Sequence, residues 1–152
     1  MDITPQIRYD SCAIVSYDAQ GFRLRDGRAQ EAATQQHDQQ SLTYHKGAIM
    51  IKESAFQPWD IAAPLKSGQF DIDALLEQQA FFQGCEILLL GTGAKGLFVK
   101  PKERLKLKAY GLVLDVMSSA AAARSYAVLL SEQRKVAAFL LPSGFCAPLP
   151  DA

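Results

Sequence analysis

Gly91-Thr92-Gly93 and Ser118-Ser119 combine the residue types that suit a bound anion. Small residues leave backbone N–H groups open to an approaching ligand, and hydroxyls add further donors. Leu141-Pro142-Ser143 ends another apolar run, and Lys95 and Arg124 bring positive charge to the same stretch of chain. Thr92, Gly93, Ser118, Ser119 and Arg124 are therefore candidate contacts for a small anionic ligand. The same residues also have a purely structural reading. The glycines would form a tight turn after a strand, a serine would cap a helix, and the arginine would pair with a neighbouring acid or carbonyl. Gly-Thr-Gly is neither GxGxxG nor the GxxxxGKS/T of a phosphate loop, so nucleotide binding finds no support.

Other chemistries find weaker footing. A serine or cysteine nucleophile wants a histidine base and an orienting acid. The chain has no GxSxG, and His37 and His45 sit in or beside a polar segment of its first half. Asp60 and Asp115 show no paired-carboxylate spacing. The residue types thus lean against an enzyme without excluding one. Cys12, Cys85 and Cys146 are odd in number and form no CxxC, so neither a disulfide framework nor a cysteine zinc site is expected. No cofactor and no metal is expected.

Lys100 to Lys108 carries five basic residues and one acid. Lys102, Arg104 and Lys106 could face an acidic partner, or they could line a solvated helix exterior. Trp59, beside Pro58 and Phe56, is either a core plug or an interface anchor. These make Trp59, Lys102, Arg104 and Lys106 the interface candidates.

The elements that must hold these residues fall into two styles. Residues 1 to about 60 read as strand and loop. Ser11–Tyr17 and Phe22–Arg25 flank the turn signal Asp18-Ala19-Gln20-Gly21, which predicts a hairpin. The Gln-rich span 30–40 has almost nothing to bury and reads as part of an exposed loop over 26–41. Leu42–Tyr44 and Ala48–Ile51 flank Lys46-Gly47 and read as a second hairpin or strand pair. From residue 71 the period changes. Asp71 reads as an N-cap, and Ile72, Leu75, Leu76 and Ala80 share one helical face. Ile87–Leu90 reads as a strand covered on both faces. Lys102–Lys108 reads as a helix opened by Pro101, and Leu112–Val116 as a second buried strand. Ser118 or Ser119 caps a third helix, in which Ala122, Tyr126, Leu129 and Leu130 share a face. Val136–Leu141 is a third apolar strand, and the tail from Ser143 reads as a surface segment. Strand–helix–strand–helix–strand over 71–142 predicts parallel pairing with right-handed crossovers. The expected fold is α/β: one compact three-layer domain over 1–152, a C-terminal βαβαβ unit plus an N-terminal β-hairpin layer.

Composition sets outer bounds. Sixteen basic and sixteen acidic side chains cancel, 49% of residues are apolar and 21% charged, which is a globular composition. A neutral chain of 152 residues has no bulk attraction to nucleic acid or to an anionic membrane, though a local patch could still act. The longest apolar run, Val136–Leu141, is far too short to span a bilayer. Met1-Asp2-Ile3-Thr4-Pro5 shows no signal-peptide pattern, so a cytoplasmic location is expected.

The stretch Tyr110–Ser119, continuing through Arg124-Ser125-Tyr126 and Leu129-Leu130 to Val136–Pro142, resembles a small domain-of-unknown-function family. That family includes the mitochondrial complex I assembly factor 3 and an adipogenesis-associated protein. Its strand end usually reads Gly, three apolar residues, Glu, apolar, Met. Thr, Ala, Arg, Thr-Tyr-Asn and Leu-Leu follow. Glu86–Gly93 is similar to the family's glutamate-led strand into Gly-Thr-Gly, and Trp59 falls where the family tends to carry a tryptophan. Asp115 stands where Glu is usual, Ser119 where Thr is usual, and Ser125-Tyr126-Ala127 where Thr-Tyr-Asn is usual. The resemblance spans residues 8 to 142 and is specific from 86 onward. It implies a non-enzymatic accessory or binding protein with protein partners, of the kind that assists assembly of a respiratory or other membrane complex. The anion site, enzymatic or not, stays open as the alternative.

Overall fold

The computed structural model describes residues 11–26, 42–59, 65–66, 69–70, 73–94 and 99–144. Its centre is a five-stranded sheet in the order β5-β4-β10-β8-β9. The strands are β4 (Ile49–Lys52), β5 (Ala55–Pro58), β8 (Ile87–Thr92), β9 (Val113–Met117) and β10 (Val136–Leu141). β10 runs parallel to β8, and β8 parallel to β9, as the βαβαβ pattern requires. β4 joins the other side of β10 antiparallel, with Phe139 opposite Met50, and β5 forms the far edge.

β1 (Ala13–Tyr17), β2 (Gly21–Arg25) and β3 (Leu42–Lys46) form a separate antiparallel sheet. The hairpin predicted across Asp18–Gly21 is present, with Tyr17 opposite Phe22 and Ile14 opposite Leu24. The Asp18 carboxylate organises its turn. It accepts from the backbone N–H of Gln20 (2.8 Å) and of Gly21 (2.9 Å), and from the Tyr44 hydroxyl (2.9 Å). The Gln20 N–H and the Tyr44 hydroxyl favour the charged form and hold this carboxyl below its usual range. A short pair, β6 (Leu65–Lys66) and β7 (Gln69–Phe70), forms a third sheet.

The second hairpin, expected across Lys46-Gly47, is not one. β3 pairs with β2, whereas β4 enters the main sheet. Ile49, Met50 and Ile51 are all buried, which only a strand covered on both faces allows. Gly47 has a positive φ of 97°, and there the chain steps from one sheet to the other.

Four helices lie among the described residues: α1 (Asp73–Leu76), α2 (Gln79–Phe82), α3 (Pro101–Lys108) and α4 (Ser119–Ser131). The single helix expected over the Ile72–Ala80 pattern is split into α1 and α2. The Gln78 N–H bonds Leu75 O, and the Phe81 N–H bonds Gln78 O, which turns the chain between them. Ala80 is exposed, and Phe82 is the buried member of α2. Asp71, the expected cap, lies outside the described residues, as do Lys95, His37, Cys146 and the Gln-rich span 30–40.

Alternation along the central strands divides the core in two. Leu88, Leu90, Ala137, Phe139 and Leu141 face Trp59, Leu75, Phe82 and Leu107. Leu89, Val136, Ala138 and Leu140 face α4 and the first sheet, through Ala122, Tyr126, Ile14, Phe22 and Leu24. The second strand of the βαβαβ unit is not buried throughout, as its apolar run suggested. β9 is an edge strand on which Val113 and Asp115 are exposed and Leu114 is buried.

Candidate functional site

In an open α/β sheet a crevice forms where the strand order reverses. β8 leads into α3, whose Leu107 packs on the Trp59 side, and β9 leads into α4 on the other. Strand order reverses between β8 and β10, so the crevice opens at their carboxyl ends beside the start of α4, where the hydroxyl and glycine cluster lies.

The cluster is closed on itself. The Ser119 N–H donates to Gly93 O (2.9 Å), and the Gly93 N–H donates to Ser119 Oγ (2.8 Å). The same hydroxyl donates to Leu141 O, so one serine ties β8 and β10 to the start of α4. Thr92 Oγ1 donates to Met117 O at 3.1 Å and ties β8 to β9. Thr92, Gly93 and Ser119 are all buried. Ser118 is the N-cap of α4, its hydroxyl accepting from the Ala121 N–H at 3.2 Å. Arg124 is exposed on α4 and engaged in an interaction of its own. The structure thus brings Thr92, Gly93, Ser118 and Ser119 together and leaves Arg124 on the outer surface.

What sequence reading missed was the second hydrogen bond of Ser119, and the signal for it is Gly91. A Cβ at Gly91 would lie 2.7 Å from Leu140 Cδ2 and 2.9 Å from Ser119 Cα. A hydrogen is the only side chain that lets α4 start this close to β8.

Farther along α4, the buried Tyr126 hydroxyl donates to Cys12 O at 2.9 Å. Burial pushes its pKa well above the ordinary value near 10, and the Glu53 carboxylate adds to the effect. The phenol is a neutral tie between α4 and the first sheet.

An open groove of about 390 Å³ lies at the opposite, amino-terminal end of the parallel strands. Gln79, Phe82, Gln83, Cys85, Tyr110 and Leu112 are among its lining. Burial raises the pKa of the half-buried Cys85 thiol, and Lys52 and Lys135 offset this only in part. Its thiolate, the nucleophilic form, is disfavoured. No group of three metal-ligating side chains occurs among the described residues. His45 packs edge-on to Phe56, with 5.4 Å between ring centroids.

The interface candidates separate. Trp59 is buried, its ring 5.2 Å from that of Phe139, and its placement corrects the interface reading in favour of core. Lys102, Arg104 and Lys106 are exposed on α3. Lys106 meets Asp73 of α1 and Glu103, both at 3.6 Å. Large apolar side chains are exposed close by in the chain: Leu105 (62%), Tyr110 (54%), Val113 (64%) and Val128 (52%).

With the mixed five-stranded sheet, the added antiparallel layer and the Gly-Thr-Gly junction in view, comparison defines the class of protein. The sequence profile of a family described as protein of unknown function (DUF498/DUF598) matches residues 14–141. The chain belongs to that family. It is 38% identical over 98 residues to an uncharacterized protein of Rhodobacter capsulatus, covering 64% of this chain and 71% of that one. Among solved structures it is similar to an outer membrane protein of Bartonella henselae, with 31% identity, coverage of 87% and 95% of the two chains, and a TM-score of 0.61. It also shares the fold of a Bordetella pertussis protein described as a Mth938-like domain, at 21% identity, coverage of 95% and 94%, and a TM-score of 0.65. No helix among the described residues is long and apolar enough to cross a membrane.

Proposed function

We propose that this protein is a non-enzymatic accessory factor that works by binding another protein, in the assembly of a respiratory or other membrane complex. One observation carries the reading. Among the large apolar side chains exposed in the described residues, Leu105 and Tyr110 lie on and just after α3 among its exposed cations, while Val113 and Val128 are exposed on the α4 side of the sheet. Scattered exposed apolar residues are ordinary, whereas a concentration rimmed by charge is the composition of a partner surface. The cations of α3 supply that rim.

The rival reading is a small-anion site at the strand ends. A ligand there would have to displace Ser119 Oγ to reach the Gly93 N–H. A donor already satisfied in the folded state gains little by exchanging partners. A cytoplasmic location goes with the reduced thiols of Cys12 and Cys85. The Bartonella relative's description as an outer membrane protein bears on the same question and is consistent with work beside a membrane.

Affinity capture from the source organism with the folded chain as bait tests the proposal. It is expected to recover one defined protein in near-stoichiometric amount. Repeated recovery of no specific protein by a folded bait contradicts it.

A further inference from the structure

β9 closes the main sheet on one side, and no described strand pairs with its outer edge. The orientation of its backbone follows from a single hydrogen bond. The Val113 N–H donates to Glu86 O at 3.0 Å, so Val113, Asp115 and Met117 direct their backbone groups toward β8. Alternate residues of a strand point these groups to opposite sides. The N–H and C=O of Leu114 and Val116 therefore face outward, a template for one more strand.

The flanks of that edge differ in character. Leu107 anchors α3 to the sheet, and Lys106 turns toward Asp73 of α1 on the inner side. At about 100° per residue, Arg104 and Lys108 then fall on the opposite flank of α3, above the outer edge of β9. Both are exposed. The other face of β9 carries exposed Val113 and Asp115, on the α4 side.

We infer that the outer edge of β9 accepts an extended acidic segment of a partner protein as a sixth strand. The segment alternates: acidic side chains level with Leu114 and Val116 lie under Arg104 and Lys108, and apolar ones lie beside Val113. A second copy of this chain fits less well. Symmetric pairing centred on Asp115 would set two carboxylates directly opposite each other, which is destabilising. The inference rests on the protein-binding reading above and specifies the partner's chemistry.

The test uses a fluorescent peptide of about eight residues, alternating glutamate with valine or threonine, with a lysine-for-glutamate version as control. Anisotropy is expected to show binding of the acidic peptide and not of the basic one. The double variant Arg104→Glu/Lys108→Glu lies on an exposed helix face and should weaken binding about tenfold. Val116→Pro removes an outward N–H while sparing the β8 ladder and should abolish binding. Thermal melting confirms that each variant is folded. Should Val116→Pro fail to fold, the charge-reversal variant and the peptide pair decide alone. Absence of binding by the acidic peptide, equal binding of both peptides, or unchanged affinity in the charge-reversed protein overturns the inference. So does a wild-type dimer that dissociates on Val116→Pro. A partner captured from cells that binds Arg104→Glu/Lys108→Glu as well as wild type would sink the edge-strand proposal and leave the accessory-factor reading standing.

Discussion

Phe139→Ala is expected to lower folding stability by about 3–5 kcal/mol. Phe139 lies on β10, the central strand of the main sheet, and is wholly buried. Three aromatic rings meet it edge-on: Trp59 at 5.2 Å, Phe82 at 6.0 Å and Phe81 at 6.3 Å between centroids. Such pairs add to the apolar burial itself. Trp59 comes from the end of β5, and Phe81 and Phe82 from α2, so one side chain joins segments distant in sequence. A cavity at this point cannot be refilled by one neighbour, because strands and helix would have to move together. Domains of this size are stable by about 5–15 kcal/mol, so the variant sits near the folding threshold. Urea denaturation checks this, with Leu105→Ala as the exposed control, expected within about 0.5 kcal/mol of wild type. A loss below about 1.5 kcal/mol for Phe139→Ala would mean the aromatic cluster is not the keystone of this face.

Ser119→Ala is expected to cost about 2–4 kcal/mol with no ligand present. The hydroxyl serves two buried partners, accepting from the Gly93 N–H and donating to Leu141 O. Removing it strands both, and each buried group left without a partner costs about 1–3 kcal/mol. Ser119→Thr keeps the hydroxyl. Its methyl must still find space next to Gly91, whose absent Cβ already marks tight packing against Ser119. Ser118→Ala, by contrast, removes only an N-cap, about 1 kcal/mol. Denaturation of the three variants separates a structural junction from a ligand site. A structural junction makes Ser119→Ala the most damaging of the three. A ligand site would leave Ser119→Ala as stable as wild type.

How much of this was legible depends on the element. β8 and β10 were readable because Ile87–Leu90 and Val136–Leu141 are unbroken apolar runs, and only a strand covered on both faces needs that. Ile49-Met50-Ile51 carried the same signal, but its pairing partner, β10, lies far along the chain, and no local pattern names a distant partner. The nearer β3 was the natural guess. β9 misled because its residues are apolar enough for a core strand, while exposure of Val113 and Asp115 follows from its edge position, which is a property of the sheet. The helix over 72–80 failed for a related reason. Phe81 and Phe82 both reach Phe139, and a continuous helix would carry Phe82 beside Leu75 but turn Phe81 to the side opposite Ile72. At the candidate site the residue types were legible and their partners were not. Gly91 before Thr92 hints at close approach, yet whether the donors around it face a ligand or each other is decided by three strands that meet only in the fold.

On the proposed reading this protein works through the α3–β9 edge, while the strand-end cluster holds the fold together. Amide chemical-shift mapping with the captured partner tests it most directly. The account predicts shifts at Arg104–Lys108 and at Leu114 and Val116 on the outer edge of β9, with Gly91–Gly93 and Ser119 unmoved. Shifts confined to Gly91–Gly93, Ser118 and Ser119, with β9 and α3 unchanged, would contradict it.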